Sequence, residues 1–420
     1  MQCSWPRLSE LKWRSWYMAA AMGFLGTLTL AACGTLPRAP YTAADAASSE
    51  VLGIPGARRY ADAPAAAFRA DASALAARPA RITLTYLALS GGGAYGAYGA
   101  GVLNGWTAAG TRPEFTFVSG VSTGALIAPF AFLGPSYDAK LREVYTSGVA
   151  ESLLDSPDLL NVVFGSSLFG GRRLRELIAR HVDEAILAAV AAAHANGRRL
   201  FVVTTNLDSQ RAVIWDMGRI ASSGSPQALT LFRDVLAASA SVPGVFPPVL
   251  IDAEANGRRF EEMHVDGAVM APVFTLPDTV LLASAPPLRG PRVNIYVLMN
   301  NKVDPDFQVV PDKAAEIGGR AASTSVKAQT RSVLFGTYAA AQRNGFGFNL
   351  TFIDQNVPSS TSAGFDTAYM RGLYQYGFEK ARSGQLWVRR PPSGALTLAR
   401  GKEEAAGGRR EALSRQLEQD

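Results

Sequence analysis

The sequence predicts an α/β sandwich around a largely parallel central sheet. Three observations carry this. First, the apolar runs RITLTYLALS (81–90), FTFVSG (from Phe115) and RRLFVVTTNLD (around 200–206) have strand length. Their apolar stretches read as parallel strands covered on both faces. Second, helical patterns separate these runs: one through Val102 and Trp106, others at 140–153 and 172–193. Such alternation is the signature of a parallel sheet. Third, glycines crowd the strand-to-helix junctions, in SGGGAYG and GVSTG. Further along, RAVIWDMG adds a strand and a helix precedes ASASVPGVFPPV. RRFEEMHVDGAV continues the sheet, and VNIYVLMNN adds a strand at 293–300. A long helix pattern spans 311–344 and a last one 363–383.

The N-terminus reads as a targeting segment. Arg7, Lys12 and Arg14 precede the apolar run WYMAAAMGFLGTLTLAA, which ends at LAAC, Leu30 to Cys33. A charged start, a short apolar core and small exit residues predict a secretory signal over 1–32. The run is short for a spanning helix, and no positive flank follows it. LAAC resembles the bacterial lipobox, which implies a lipid-modified Cys33 and a chain anchored in the cell envelope. Gly34 is not the aspartate of an inner-membrane retention signal, so the outer membrane, periplasmic face, is the expected location. Residues 33–80, rich in Ala, Pro and Arg, read as a tether with some helix around 65–77. The folded domain is expected over 81–390, with a helical extension after 272 and a charged tail at 391–420.

Composition narrows the function classes. The 420 residues are 48% hydrophobic and 18% charged, enough for a large core. The net charge of +6 is spread along the chain without a basic block interleaved with aromatics, which argues against a nucleic-acid partner. Three histidines and two cysteines, without CxxC or HExxH spacing, argue against a structural metal.

Chemistry concentrates in three places. GVSTG, Gly120 to Gly124, is a G-x-S-x-G between a strand and a helix, the context in which a nucleophilic serine is presented on a sharp turn. Ser122 is the candidate nucleophile. SGGGAYG converges backbone N–H groups near the sheet edge. It lacks the GK[ST] of a phosphate loop, and its G-x-G-x-x-G at Gly91, Gly93 and Gly96 is a weak dinucleotide signal alone. Upstream of a nucleophilic serine, such a loop suits an oxyanion hole. The third place is HVDGAV. A serine needs a base. His194 ends an alanine-rich helix and is expected at the surface, while His181 lies mid-helix in a packed or solvated position. His264 and Asp266, two apart on a strand, face one side. No histidine follows Asp266, which argues against the Ser–acid–His order of ordinary α/β-hydrolases. A Ser122–Asp266 dyad is the economical alternative.

Together these residues resemble the patatin-like phospholipase family. The glycine loop, G-x-S-x-G and D-G-A stand in its order, and LAASASVPGVFPPV is a fourth similar block. The resemblance covers 84–272. It implies a patatin-type three-layer α/β/α sandwich and hydrolysis of lipid or phospholipid acyl esters, with no cofactor or metal. It also implies Ser122 as nucleophile, Asp266 as base, and Gly91, Gly92 and Gly93 as the oxyanion hole. Two positions depart from the pattern: Tyr95 stands where a basic residue is usual, and Gly99 where histidine is frequent. The rival readings are an esterase or thioesterase on non-phospholipid substrates and a non-catalytic binding lipoprotein.

Overall fold

The computed structural model describes residues 38–51, 53–68, 79, 82–153, 167–282, 291–354 and 365–392. The signal segment, Cys33 and most of the charged tail lie outside these residues. The chain divides into two units, 1–41 and 42–420, and only 38–41 of the first are described.

The second unit begins with helix α1 (Ala43–Ser48) and strands β1 (Glu50–Val51) and β2 (Arg58–Tyr60). Strand β3 (Thr83–Leu89) leads through the glycine loop to α2 (Gly96–Ala108), and β4 (Phe117–Val121) to α3 (Thr123–Leu133). Helices α4 (Asp138–Thr146), α5 (Ser167–His181) and α6 (Glu184–Ala195) precede β5 (Arg199–Asn206) and β6 (Arg211–Asp216). After α7 (Met217–Ala221) and α8 (Ala228–Ser239) come the hairpin strands β7 (Val249–Ala255) and β8 (Arg258–Asp266). A short α9 (Asp278–Leu281), β9 (Arg292–Leu298), α10 (Ala314–Asn344), β10 (Gly347–Thr351) and α11 (Thr367–Arg382) complete the described chain.

The ten strands of the described residues form one sheet, in the order β1-β7-β8-β5-β4-β3-β9-β10, with β6 beside β5 and β2 beside β6. From β5 to β10 the pairing is parallel, and β8, β7, β6, β1 and β2 join antiparallel. The two faces of β3 feed different cores. Leu87 and Leu89 pack with the helices of one layer. Tyr86 and Ala88 pack under Leu334 and Ala341 of α10. Coverage on both faces explains why β3 reads as a nearly continuous apolar run.

Five expectations change. The 33–80 tether enters the fold at Thr42, which caps α1 with Asp45 in a capping box. Glu50 pairs with Glu254 and Arg59 with Ile214, so this segment carries two sheet strands. Strands of two and three residues leave no readable alternation. The helix expected at 65–77 is a 3₁₀ turn, Ala65–Phe68, and residues 69–77 lie outside the description. The pattern at 140–153 stops at Thr146, just before Gly148 at φ 93°. That at 172–193 is broken by Asp183, whose side chain caps α6 by accepting from Ile186 N at 2.9 Å. Finally, the region after 272 is no helical appendix, because β9 pairs with β3 along its whole length.

Helices α2 and α11 approach so closely that side chains are excluded. A Cβ on Gly101 would overlap the Tyr374 carbonyl, and one on Gly105 that of Phe378. Gly101 and Gly105 therefore serve helix-to-helix packing. Gly101→Val is expected to cost about 1–3 kcal/mol or more by overpacking. Gly336→Ala, in α10 with open space around it, is expected to add about 0.5–1 kcal/mol. Urea or thermal unfolding of the two variants measures the contrast.

Candidate active site

The parallel register lines up the ends of four strands. Leu89 pairs with Gly120 and with Leu298, and Val121 with Val203. Continuing each strand places Gly91, Ser122, Thr204 and Asn300 near one level of the sheet. Thr204 pairs directly with Asp266 on β8. The topology thus delivers the glycine loop of β3, the serine of β4 and the aspartate of β8 to one end of the sheet, with β5 between the last two.

Ser122 has φ 55° and ψ −126°, a conformation L-residues rarely adopt, and stands directly before α3. Its neighbours must be small. A Cβ on Gly120 would overlap the Gly124 carbonyl, and one on Gly124 the Leu89 and Ser90 carbonyls. The strained turn is held from behind. Ser122 N donates to Ser239 Oγ at 3.0 Å, and Ser239 Oγ donates to the Val203 carbonyl at 2.7 Å. The same segment holds the aspartate, since Asp266 N donates to the Ser241 carbonyl at 2.9 Å. Sequence reading found LAASASVPG but gave its serines no role.

Asp266 is 2% exposed and ends β8. Its Oδ1 accepts from Ala268 N at 2.7 Å, while its buried Oδ2 has no hydrogen-bond partner among the described residues. Burial pushes the carboxyl up to about 7, opposed by the nearby Ser122 hydroxyl and the Ala268 amide. The serine is near enough to influence the carboxyl yet makes no hydrogen bond of ordinary geometry to Oδ2. Such contacts in unliganded sites often tighten when substrate binds. A buried carboxylate with a pKa near 7 and an open lone pair has the properties of a general base.

The glycine loop requires one correction. Gly91 N–H donates to the Pro272 carbonyl at 3.0 Å, so it is committed and does not serve as an oxyanion donor in this arrangement. Gly91 is still needed bare, because its Cβ would stand 3.1 Å from Ser122 Cβ. Gly92 and Gly93 precede and open the 3₁₀ turn Gly93–Tyr95, where the first amides have no acceptor within the turn. These two remain the candidate donors.

Asn300 is the residue sequence reading missed. It is fully buried. Its N–H donates to Ser90 Oγ at 2.8 Å and its Nδ2 to the Ser90 carbonyl at 2.8 Å, just before the glycines. A Cβ on Gly92 would overlap its carbonyl oxygen, and one on Gly99 its Oδ1. Gly99 is therefore bare because Asn300 fills that space. Tyr95, the other departure, packs edge-on against Tyr369 with ring centroids 6.2 Å apart. His264 is completely buried on β8. His194 is half-buried rather than superficial, with Nδ1 3.6 Å from Asp216 Oδ1.

The structure is thus an α/β fold on a central, mostly parallel sheet, with a strained serine before a helix and beside a glycine loop. Residues 87–277 match the family model described as patatin-like phospholipase. No curated protein matches the chain. Among solved structures it is similar to VipD from Legionella pneumophila, at 11% identity and a TM-score of 0.35, covering 73% of this chain and 66% of that one. It is also similar to ExoU of the Pseudomonas aeruginosa type III secretion system, solved with SpcU, at 16% identity and a TM-score of 0.30. That likeness covers 72% of this chain and 52% of ExoU. The chain spans less than two-thirds of either protein's length.

Asn300→Ala should leave the fold intact but release the glycine loop. An error on the order of 1 Å in the site costs roughly 100-fold. The expected result is a kcat for a short-chain acyl ester lowered about 10- to 100-fold, with a much smaller change in KM.

Proposed function

We propose that the protein is a lipid acyl hydrolase that cleaves fatty-acyl esters through a Ser122–Asp266 dyad and an acyl-enzyme intermediate. The observation that carries this reading is the strained Ser122 beside a buried aspartate whose Oδ2 lacks a partner. As Ser122 Oγ attacks the ester carbonyl, its proton passes to Asp266 and the former carbonyl oxygen takes the charge. The Gly92 and Gly93 amides and the N-terminus of α3 stabilise that oxyanion. When the C–O bond breaks, Asp266 returns the proton to the leaving alcohol. Water, deprotonated by Asp266, then attacks the acyl-serine and releases the fatty acid.

An apolar substrate is supported by the surroundings. Val242 and Val245 follow Ser241, and Val269 and Met270 follow Asp266; all four side chains are exposed. They sit on the two segments that meet at the Asp266–Ser241 hydrogen bond. Tyr95 brings no positive charge to the loop, which favours recognition of the acyl ester over an anionic head group.

Fluorophosphonate is expected to label the wild-type protein and not Ser122→Ala; equal labelling of both removes the nucleophile assignment. Because Asp266 acts as its anion, kcat/KM should fall tenfold per pH unit below about 7 and level off above it. Asp266→Asn should lose at least about 100-fold, the contribution of a general base. We further propose that Cys33 is acylated and anchors the chain in the cell envelope. Metabolic labelling with a fatty acid should mark the wild type and leave Cys33→Ser unmarked.

A further inference from the structure

Behind Asp266, on the same face of β8, lie two more buried ionisable residues, His264 and Glu262. Both are without exposed side-chain surface. Glu262 forms an ion pair with Arg58 of β2, itself only 5% exposed. The remaining carboxylate contacts are Ser49 Oγ at 3.0 Å and Asn206 Nδ2 at 3.1 Å. Arg58 Nη2 also donates to Ser49 Oγ at 2.8 Å. His264 Nε2 lies 3.2 Å from Glu262 Oε2, and its Nδ1 lies 2.8 Å from Thr204 Oγ1.

The direction of this chain follows from donor chemistry. Trp215 Nε1–H, which can only donate, reaches Thr204 Oγ1 at 2.8 Å. The Glu262 carboxylate can only accept, so the neutral imidazole gives it Nε2–H, and the bare Nδ1 accepts the Thr204 hydroxyl proton. Burial holds His264 below its ordinary pKa, which keeps that neutral form. Burial would raise Glu262, but the hydrogen bonds from His264 and Arg58 hold it at about 2. The network ends beside the candidate base, because Thr204 is the cross-strand partner of Asp266 and Thr205 Oγ1 donates to the Asp266 carbonyl at 2.9 Å.

We propose that Arg58 is a positioning residue for Asp266. It balances the buried Glu262 charge and, through His264 and Thr204, fixes the strand end from which Asp266 faces Ser122. This rests on reading Asp266 as the base. Arg58 lies outside the 87–277 family match, on the segment that sequence reading took for a tether. Ser122 and the Ala268 amide meet the Asp266 carboxyl; the titratable and charged groups further along its face of β8 are His264, Glu262 and, paired with Glu262, Arg58. Of these only Glu262 and Arg58 carry charge, and they cancel. Asp208, the other carboxylate near His264, accepts from Met263 N at 2.9 Å on the exposed side.

The charge balance gives opposite predictions for the two halves of the pair. Glu262 is four strand residues from Asp266, about 13 Å along the strand. At an effective dielectric of about 20, one uncompensated charge there moves a pKa by roughly one pH unit. Arg58→Gln leaves Glu262 unbalanced and should raise the Asp266 titration. Glu262→Gln leaves Arg58 unbalanced and should lower it. The double variant should return it to the wild-type value, and Arg58→Lys should keep it there.

The titration is read directly by 13C NMR of carboxyl-labelled aspartate in the full chain, with the Asp266 signal assigned by its loss in Asp266→Asn. Ester hydrolysis by the same variants should show its acidic limb moving in parallel. A merely structural role would lower stability without moving the titration in opposite directions. An unchanged Asp266 titration in folded Arg58→Gln and Glu262→Gln overturns the proposal. If Arg58→Gln does not fold, Glu262→Gln against the double variant decides alone; equal titrations reject it. A wild type without ester turnover refutes the acyl-hydrolase reading instead, and leaves the NMR titration readable.

Discussion

A carboxylate held almost without water is the constraint on which the site depends. Burying an ion is costly unless hydrogen bonds or a counter-charge meet it. Among the described residues Asp266 has one firm hydrogen bond and no cation beside it, so its pKa climbs to about 7. The fold has to supply the rigidity that an ion pair would otherwise give. It does so through the backbone: Asp266 N is fixed to Ser241, just past the end of α8, its carbonyl to Thr205, and its strand to β5. The same end of α8 fixes the Ser122 amide. One short segment, Ser239 to Ser241, thus sets the serine and the aspartate relative to each other.

How much of this was legible in the sequence follows from range. The strands β3, β4, β5 and β9 were readable because double-sided burial writes itself as a run of Val, Leu, Ile and Phe. Ser122 and Asp266 were readable because a strained turn and a strand-end carboxylate demand small neighbours at fixed offsets. Contacts between distant segments left no such trace. That Pro272 takes the Gly91 N–H, or that Asn300 fills the space beside Gly99, depends on β9 lying next to β3. A one-sequence reading cannot see which strand becomes a neighbour. Strands β1 and β2 failed for another reason, since their five residues are too few to show a period.

The glycines divide along the same line. Gly120 and Gly124 are local necessities of the serine turn, and the motif captures them. Gly101 and Gly105 are bare because α11, more than 250 residues later, lies against α2. Both kinds look alike in the sequence, although one serves the candidate chemistry and the other only packing.

The recognisable family segment is therefore not the unit that makes the site. A chain ending at residue 277 would keep Ser122, Asp266 and every quoted motif. It would lack β9, leaving the backbone of β3 unpaired on the side where β9 normally lies. It would also lack Asn300, whose two hydrogen bonds to Ser90 hold the start of the glycine loop. A chain starting at residue 87 would strand Glu262 without Arg58, a buried charge without its partner. Removing one member of a buried pair costs about 3–5 kcal/mol, a large share of a domain's whole stability. The residues that carry the candidate chemistry are clustered in sequence, but those that keep its geometry come from both flanks, and so the working unit extends from Thr42 to at least α11.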